Sequence, residues 1–154
     1  YLPESFETGT LNHEGIVGAA AAVDFLAGLS ESNGSRRDRL EAVFSTLYAR
    51  SHRLLGFLWD GLQEQRGVQL YGPGPGEERT PTIGFTVKGV DSSTVAERLA
   101  NDFGLFLSHG DFYATGVTEA LGLGQQGLVR AGCACYTNED EVERLIKGVA
   151  ALCS

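Results

Sequence analysis

Ser108-His-Gly-Asp-Phe-Tyr-Ala-Thr115 opens a polar loop and a glycine-rich run follows it. The chain then reads Leu128-Val-Arg-Ala-Gly-Cys-Ala-Cys-Tyr136, and a capped acidic helix closes the stretch near Ile146. The apolar run from Leu128 to Cys135 predicts a short strand that carries one charge, Arg130. An arginine on such a strand is costly to bury unless an anion meets it. Two partners fit: one of the chain's own 20 acidic side chains, or the carboxylate of a ligand, which the planar guanidinium grips through two parallel hydrogen bonds. Alternation along the strand puts Arg130, Gly132 and Ala134 on one face and Cys133 and Cys135 on the other. That separation makes the two cysteines candidates for small core residues.

Working outward, the 154 residues are enough for one domain with a sizeable core. Twelve basic against 20 acidic residues, a net charge of −8, argue against a nucleic-acid surface, which needs clustered Lys and Arg. The acidic residues are spread over several predicted helices rather than gathered in a tail, and they favour solubility. Three cysteines fit neither a secreted disulfide framework nor a four-ligand zinc site, so a reducing cytoplasm is expected. The sequence has no methionine and starts Tyr1-Leu2-Pro3. It is expected to be a processed product or a piece of a longer polypeptide. The intact mass of the native protein, set against 16.4 kDa, separates these.

Tyr1 to Asn12 reads as an entering loop with threonine hydroxyls on either side of Gly9. Asn12 can cap a helix from about His13 to Leu29 whose alanine-rich sequence leaves almost no polar face, which predicts burial. That helix is too short for a bilayer and carries Asp24 at its middle, so no membrane anchor is expected. Apolar residues at Leu40, Val43, Phe44, Leu47, Leu54, Leu55, Leu58 and Leu62 step by three and four, predicting one long amphipathic helix over Arg36 to Gln65. Its His52 and Trp59 are expected to pack or to lie at the surface.

Strands follow at Val68–Tyr71, Thr80–Val87, Phe103–Leu107 and Leu128–Cys135. Helices are expected from Ser92 or Ser93 to Asn101, briefly from Thr115 to Leu121, and after Thr137 or Asn138. Gly72-Pro-Gly-Pro-Gly76 precedes no helix and no lysine-serine pair, so it is not a phosphate cradle. The order predicts an α+β layer: an antiparallel or mixed sheet of about four strands with helices on one face, preceded by one buried and one long helix.

Several of these segments together resemble one family. Phe6-Glu-Thr-Gly-Thr-Leu-Asn12, with Gly15 and the alanine-rich helix, resembles the Phe-Glu-x-Gly-Thr-x-Asn segment of class V aminotransferases and cysteine desulfurases. Arg79-Thr-Pro-Thr82 and Phe85 are similar to that family's next strand. Gly110-Asp-Phe-Tyr-Ala114 falls where a desulfurase has Gly-His-His-Cys-Ala. Arg130-Ala-Gly132, Tyr136-Thr-Asn138 and Glu141-Val142 follow its Arg-x-Ser, Tyr-Asn-Thr and Glu-Val signature in order.

The resemblance implies the C-terminal part of a dimeric fold-type-I enzyme that uses pyridoxal phosphate on an amino-acid substrate. Residues 1–35 would lead into a small domain formed by 36–154. Thr10, with Gly9, would touch the cofactor phosphate across the dimer, and Arg130 would bind the substrate α-carboxylate. Two departures stand out. The lysine that holds the cofactor covalently has no counterpart, since Lys88 and Lys147 lack the family's His-Lys context. The desulfurase nucleophile is replaced by Tyr113, so transamination, lyase or racemase chemistry is open. His109 and His13 are candidate ligands or acid-base groups, with ordinary hydrogen bonding the plainer role. The alternative is a stand-alone α+β domain without enzymatic activity that binds an acidic small molecule through Arg130 and His109, or pairs with a separate lysine-bearing chain.

Overall fold

The structure, a computed structural model, describes residues 4–7 and 9–153. The parts of the entering loop at Tyr1–Pro3 and Thr8 lie outside the described residues. The chain forms two compact units, Tyr1–Tyr48 and Ala49–Ser154.

In the first unit a 3₁₀ turn at Glu4–Phe6 precedes α1 (His13–Gly28). Asn12 caps α1 as expected, its side-chain oxygen accepting the Gly15 N–H at 2.8 Å. α2 (Arg36–Gln63) begins in this unit and runs on into the second. Its start is fastened by a reciprocal pair: Asp38 accepts from the Ser35 N–H and hydroxyl, and the Ser35 hydroxyl accepts the Asp38 N–H. Those bonds hold the Asp38 carboxyl below its ordinary pKa.

The expected burial of α1 is corrected. Ala27 is its buried residue, while Ile16, Val17, Val23 and Phe25 are exposed. Its sequence has no polar face because apolar side chains run all round it. Composition of that kind marks surface that needs cover without supplying the cover.

The second unit holds a four-stranded antiparallel sheet in the order β1-β2-β4-β3. The strands are β1 (Val68–Tyr71), β2 (Thr82–Val87), β3 (Ser108–Gly110) and β4 (Leu128–Gly132). Ile83, Phe85 and Val87 of β2, with Val129 and Ala131 of β4, point to one face and are buried. The later part of α2 (Leu54, Leu55, Leu58, Leu62), α3 (Ser92–Phe103) and α5 (Glu139–Leu152) cover that face and complete the core. Each fully buried large side chain, Phe85 for example, contributes about 1.5–3 kcal/mol relative to exposure. α5 begins with a full capping box, Asn138 accepting from the Glu141 N–H and the Glu141 carboxylate accepting from the Asn138 N–H, both at 2.9 Å. A short helix, α4 (Thr115–Ala120), lies between β3 and β4.

The third strand differs from expectation. α3 continues to Phe103, where Gly104 adopts a left-handed conformation (φ 65°) and its N–H closes the helix end. Leu105 and Leu107 are half-buried and Phe106 is exposed, so the expected alternation is present. The ladder to β4 nevertheless begins only at Ser108, and the strand is Ser108–Gly110.

β4 also ends three residues early, at Gly132, and the chain turns at Cys135 and Tyr136. Alternation is lost with the strand, so Cys133 is buried but Cys135 is exposed, correcting its expected core placement. Burial pushes the Cys133 thiol up, and the nearby Arg50 guanidinium partly opposes that shift. Burial also pushes up the Cys153 thiol.

Two outcomes follow from this packing. Gly127 has φ 59°, and a Cβ there would stand 2.1 Å from the Gly110 carbonyl oxygen, a backbone atom. Gly127→Ala is expected to lower stability by at least about 2 kcal/mol in denaturant unfolding, and an unchanged midpoint would contradict that close approach. Iodoacetamide is expected to modify Cys135 before Cys153 in the folded protein, with Cys133 protected until unfolding. Peptide mapping over time reads the order, and equal rates at Cys133 and Cys135 would contradict it.

Candidate functional site

The open face of the sheet is defined by register. Tyr71, Gly84, Arg130 and Ser108 are successive cross-strand partners across β1, β2, β4 and β3. Partners in a ladder point to the same side, so this row shares the face opposite the buried Phe85 and Val129. Thr82 and Thr86 of β2 lie on the same side, and the Tyr71 and Thr86 hydroxyls are 3.3 Å apart. Arg130 therefore stands in a polar row, flanked by glycine on one strand and serine on the other.

Arg130 is exposed, and among the described residues no carboxylate forms an ion pair with it. The intramolecular salt bridge considered for it is not formed there. Its guanidinium carbon lies 4.3 Å from the centre of the Phe112 ring. A guanidinium over an aromatic face is held by cation–π attraction, and where it lies flat on the ring the N–H groups along its edge stay able to donate. Bidentate carboxylate binding uses that edge, so the two contacts are compatible.

Phe112 reaches Arg130 because the loop after β3 turns sharply. Gly110 has φ 111°, and the next non-glycine positions Phe112 and Tyr113 have φ 54° and 59°. Left-handed backbone at a bulky residue costs about 1–3 kcal/mol and persists only where surrounding bonds hold it. Asp111 supplies those bonds: Oδ1 accepts the Tyr113 N–H at 3.1 Å, and Oδ2 accepts the Thr115 hydroxyl at 2.9 Å. Its backbone carbonyl accepts the Ala114 N–H at 2.8 Å. The result is an Asx-type turn that carries Phe112 to the guanidinium and leaves Tyr113 fully exposed.

The remaining candidates lie elsewhere. His109 pairs with Val129, so its register assigns it the side of the sheet opposite Arg130. It is exposed and shares a polar cleft of about 580 Å³ with Asp91, Ser93 and Gln125. Gly9 and Thr10 form an exposed bend before α1, in the first compact unit. His13 opens α1 and is exposed. Lys88 follows β2 in a turn, and Lys147 on α5 is engaged by Glu143 at 2.7 Å. Among the described residues no cluster of His, Cys, Asp or Glu could hold a metal ion.

Sequence reasoning missed Asp111 and Phe112. An aspartate followed two residues on by a backbone donor and four residues on by a threonine is a readable turn signal. The ring contact joins positions 18 residues apart and has no local signature.

A sequence model of the aminotransferase class-V family matches residues 1–145. Among curated proteins the chain is 30% identical to an uncharacterised protein of Mycobacterium tuberculosis, over 97% of this chain and 37% of that one. It is 29% identical to a cysteine desulfurase of Cronobacter sakazakii, over 96% of this chain and 32% of that protein. The chain thus spans about a third of the length of the curated relatives it matches. An apo structure of a cysteine desulfurase from Thermococcus onnurineus superposes with a TM-score of 0.79 at 28% identity, covering 97% of this chain and 33% of that one. A cysteine desulfurase structure from Escherichia coli, 24% identical with a TM-score of 0.75, has the same fold over 97% of this chain and 32% of its own. With the motifs in order, the sheet and helices superposing and the sequence match running through Arg130, this chain belongs to the aminotransferase class-V family.

Proposed function

We propose that the chain is the C-terminal part of a pyridoxal-phosphate enzyme acting on an amino acid, in which Arg130 binds the substrate α-carboxylate. The observation that carries this reading is an exposed strand arginine, its guanidinium over the Phe112 ring and without an acidic partner among the described residues. A guanidinium presented that way is a site for an external anion. In this reading residues 1–35 lead into a small domain formed by 36–154, and the enzyme is a homodimer in a reducing cytoplasm. Three free thiols fit that compartment. Among the described residues no helix is long and apolar enough to cross a membrane.

The residues fit the cofactor in part. Thr10 is exposed, and its hydroxyl with the Gly9 N–H offers the neutral donors that a phosphate accepts from, here across the dimer. Covalent attachment is assigned to a lysine outside these residues, because neither Lys88, in a turn after β2, nor Lys147, on α5, stands in the family's His-Lys context. Pyridoxal phosphate, when bound, supplies an electron sink for the substrate α-carbon. Arg130 contributes orientation, holding the carboxylate in one plane so that the α-carbon is presented in one direction. Tyr113 stands at the position of the desulfurase cysteine, and a phenol cannot take up sulfur as a thiolate does. The reading therefore favours transamination, lyase or racemase chemistry over desulfuration.

Arg130→Ala in the full-length protein is expected to raise KM for its amino-acid substrate about ten- to a hundredfold, through loss of charge-assisted hydrogen bonds worth about 1.5–3 kcal/mol. Circular dichroism should be unchanged, because the side chain is exposed. Arg130→Lys should recover only part of the affinity, since an ammonium lacks the planar fork. An unaltered KM in Arg130→Ala would remove the proposed role. Sulfide release from L-cysteine is expected to be absent from the unmodified protein, and steady release would restore a desulfurase reading.

A further inference from the structure

The Asp111–Phe112–Tyr113 turn does more than connect β3 to α4. We infer that Phe112 is a positioning residue for Arg130, an aromatic shelf that fixes the plane of the guanidinium, and that Asp111 holds the shelf in place. This inference rests on the carboxylate reading of Arg130 and deepens it.

A long arginine side chain on an open sheet face is otherwise free to rotate. Its neighbours in the row are Gly84 and Ser108, which offer little surface to pack against. The Phe112 ring, 4.3 Å from the guanidinium carbon, is the aromatic contact that Arg130 makes. The ring is half-buried and its backbone is held at φ 54° by a turn in which Asp111 accepts from the Tyr113 N–H and the Thr115 hydroxyl. A strained backbone that delivers a ring to a cation has a plain physical return. The flat face of the guanidinium is occupied, its rotation is restricted, and its N–H edge is set before a carboxylate arrives. Phe112 touches neither substrate nor cofactor in this account and acts only through Arg130.

The test titrates L-alanine, which carries the α-amine and α-carboxylate common to amino acids, into the full-length protein by calorimetry. Phe112→Leu removes the ring but keeps an apolar side chain. Phe112→Asn removes the ring but suits left-handed backbone, so it guards against a variant that fails to fold. Phe112→Tyr keeps the ring. Both ring-less variants are expected to weaken binding about two- to five-fold, which corresponds to about 0.5–1 kcal/mol, while Phe112→Tyr retains wild-type affinity. On an Arg130→Ala background the Phe112 changes should have no further effect, an outcome that a general loosening of the loop would not produce. If Arg130→Ala weakens binding but the ring-less variants bind as wild type, Phe112 has no positioning role and the carboxylate reading stands. If Phe112→Asn weakens binding equally with and without Arg130, its action does not pass through the guanidinium and the inference fails. If the unmodified protein does not bind L-alanine, or if Arg130→Ala binds it undiminished, the carboxylate reading falls and this inference falls with it.

Discussion

Alternation along β4 is the constraint on which the site depends. Val129 and Ala131 face the core while Arg130 faces the open side, and β2 mirrors this with Phe85 inside and Gly84 outside. A slip of one residue would turn the guanidinium into a core formed by leucines and valines and expose Val129. The charge penalty of that arrangement is several kcal/mol, so the arginine specifies register as well as any apolar residue does. Gly84 belongs to the same arrangement, because a Cβ there would stand 2.9 Å from the Leu128 side chain. The strand that completes the core thus also fixes the direction of the cation.

The second dependence runs through the Asp111 turn. Two successive bulky residues in left-handed backbone cost about 1–3 kcal/mol each, and the hydrogen bonds made by Asp111 offset a comparable amount at about 0.5–1.5 kcal/mol apiece. Gly127, the residue just before β4, supports the turn from across the ladder, where the Gly110 backbone approaches too closely for any side chain. The loop is therefore determined from both ends.

Much of this architecture was legible in the sequence because it is encoded locally. The Asn12 and Asn138 caps, the span of α2 and the limits of β1 each depend on residues a few positions apart. Arg130 was legible for the same reason, as a charge out of place in an apolar strand. Three features depended on distant information. α1 is apolar all round, and its sequence carries no statement of what covers it. Leu105 to Leu107 alternate like a strand, but only the partner strand determines where pairing begins. The Phe112–Arg130 contact joins the two sides of an 18-residue excursion. Cys135 illustrates a fourth difficulty: alternation predicts direction only as far as the strand extends.

The Tyr113 side chain is wholly in solvent, and its backbone conformation is maintained by Asp111 rather than by anything the phenol touches. Exchanging that side chain leaves the core unaltered, although β-branched residues are disfavoured by the left-handed backbone. The identity of the side chain at the tip of the loop is thereby uncoupled from folding. The same turn can present thiol, phenol or imidazole at this point with little change in thermodynamic stability, because the side chain there meets solvent and the core does not register its identity.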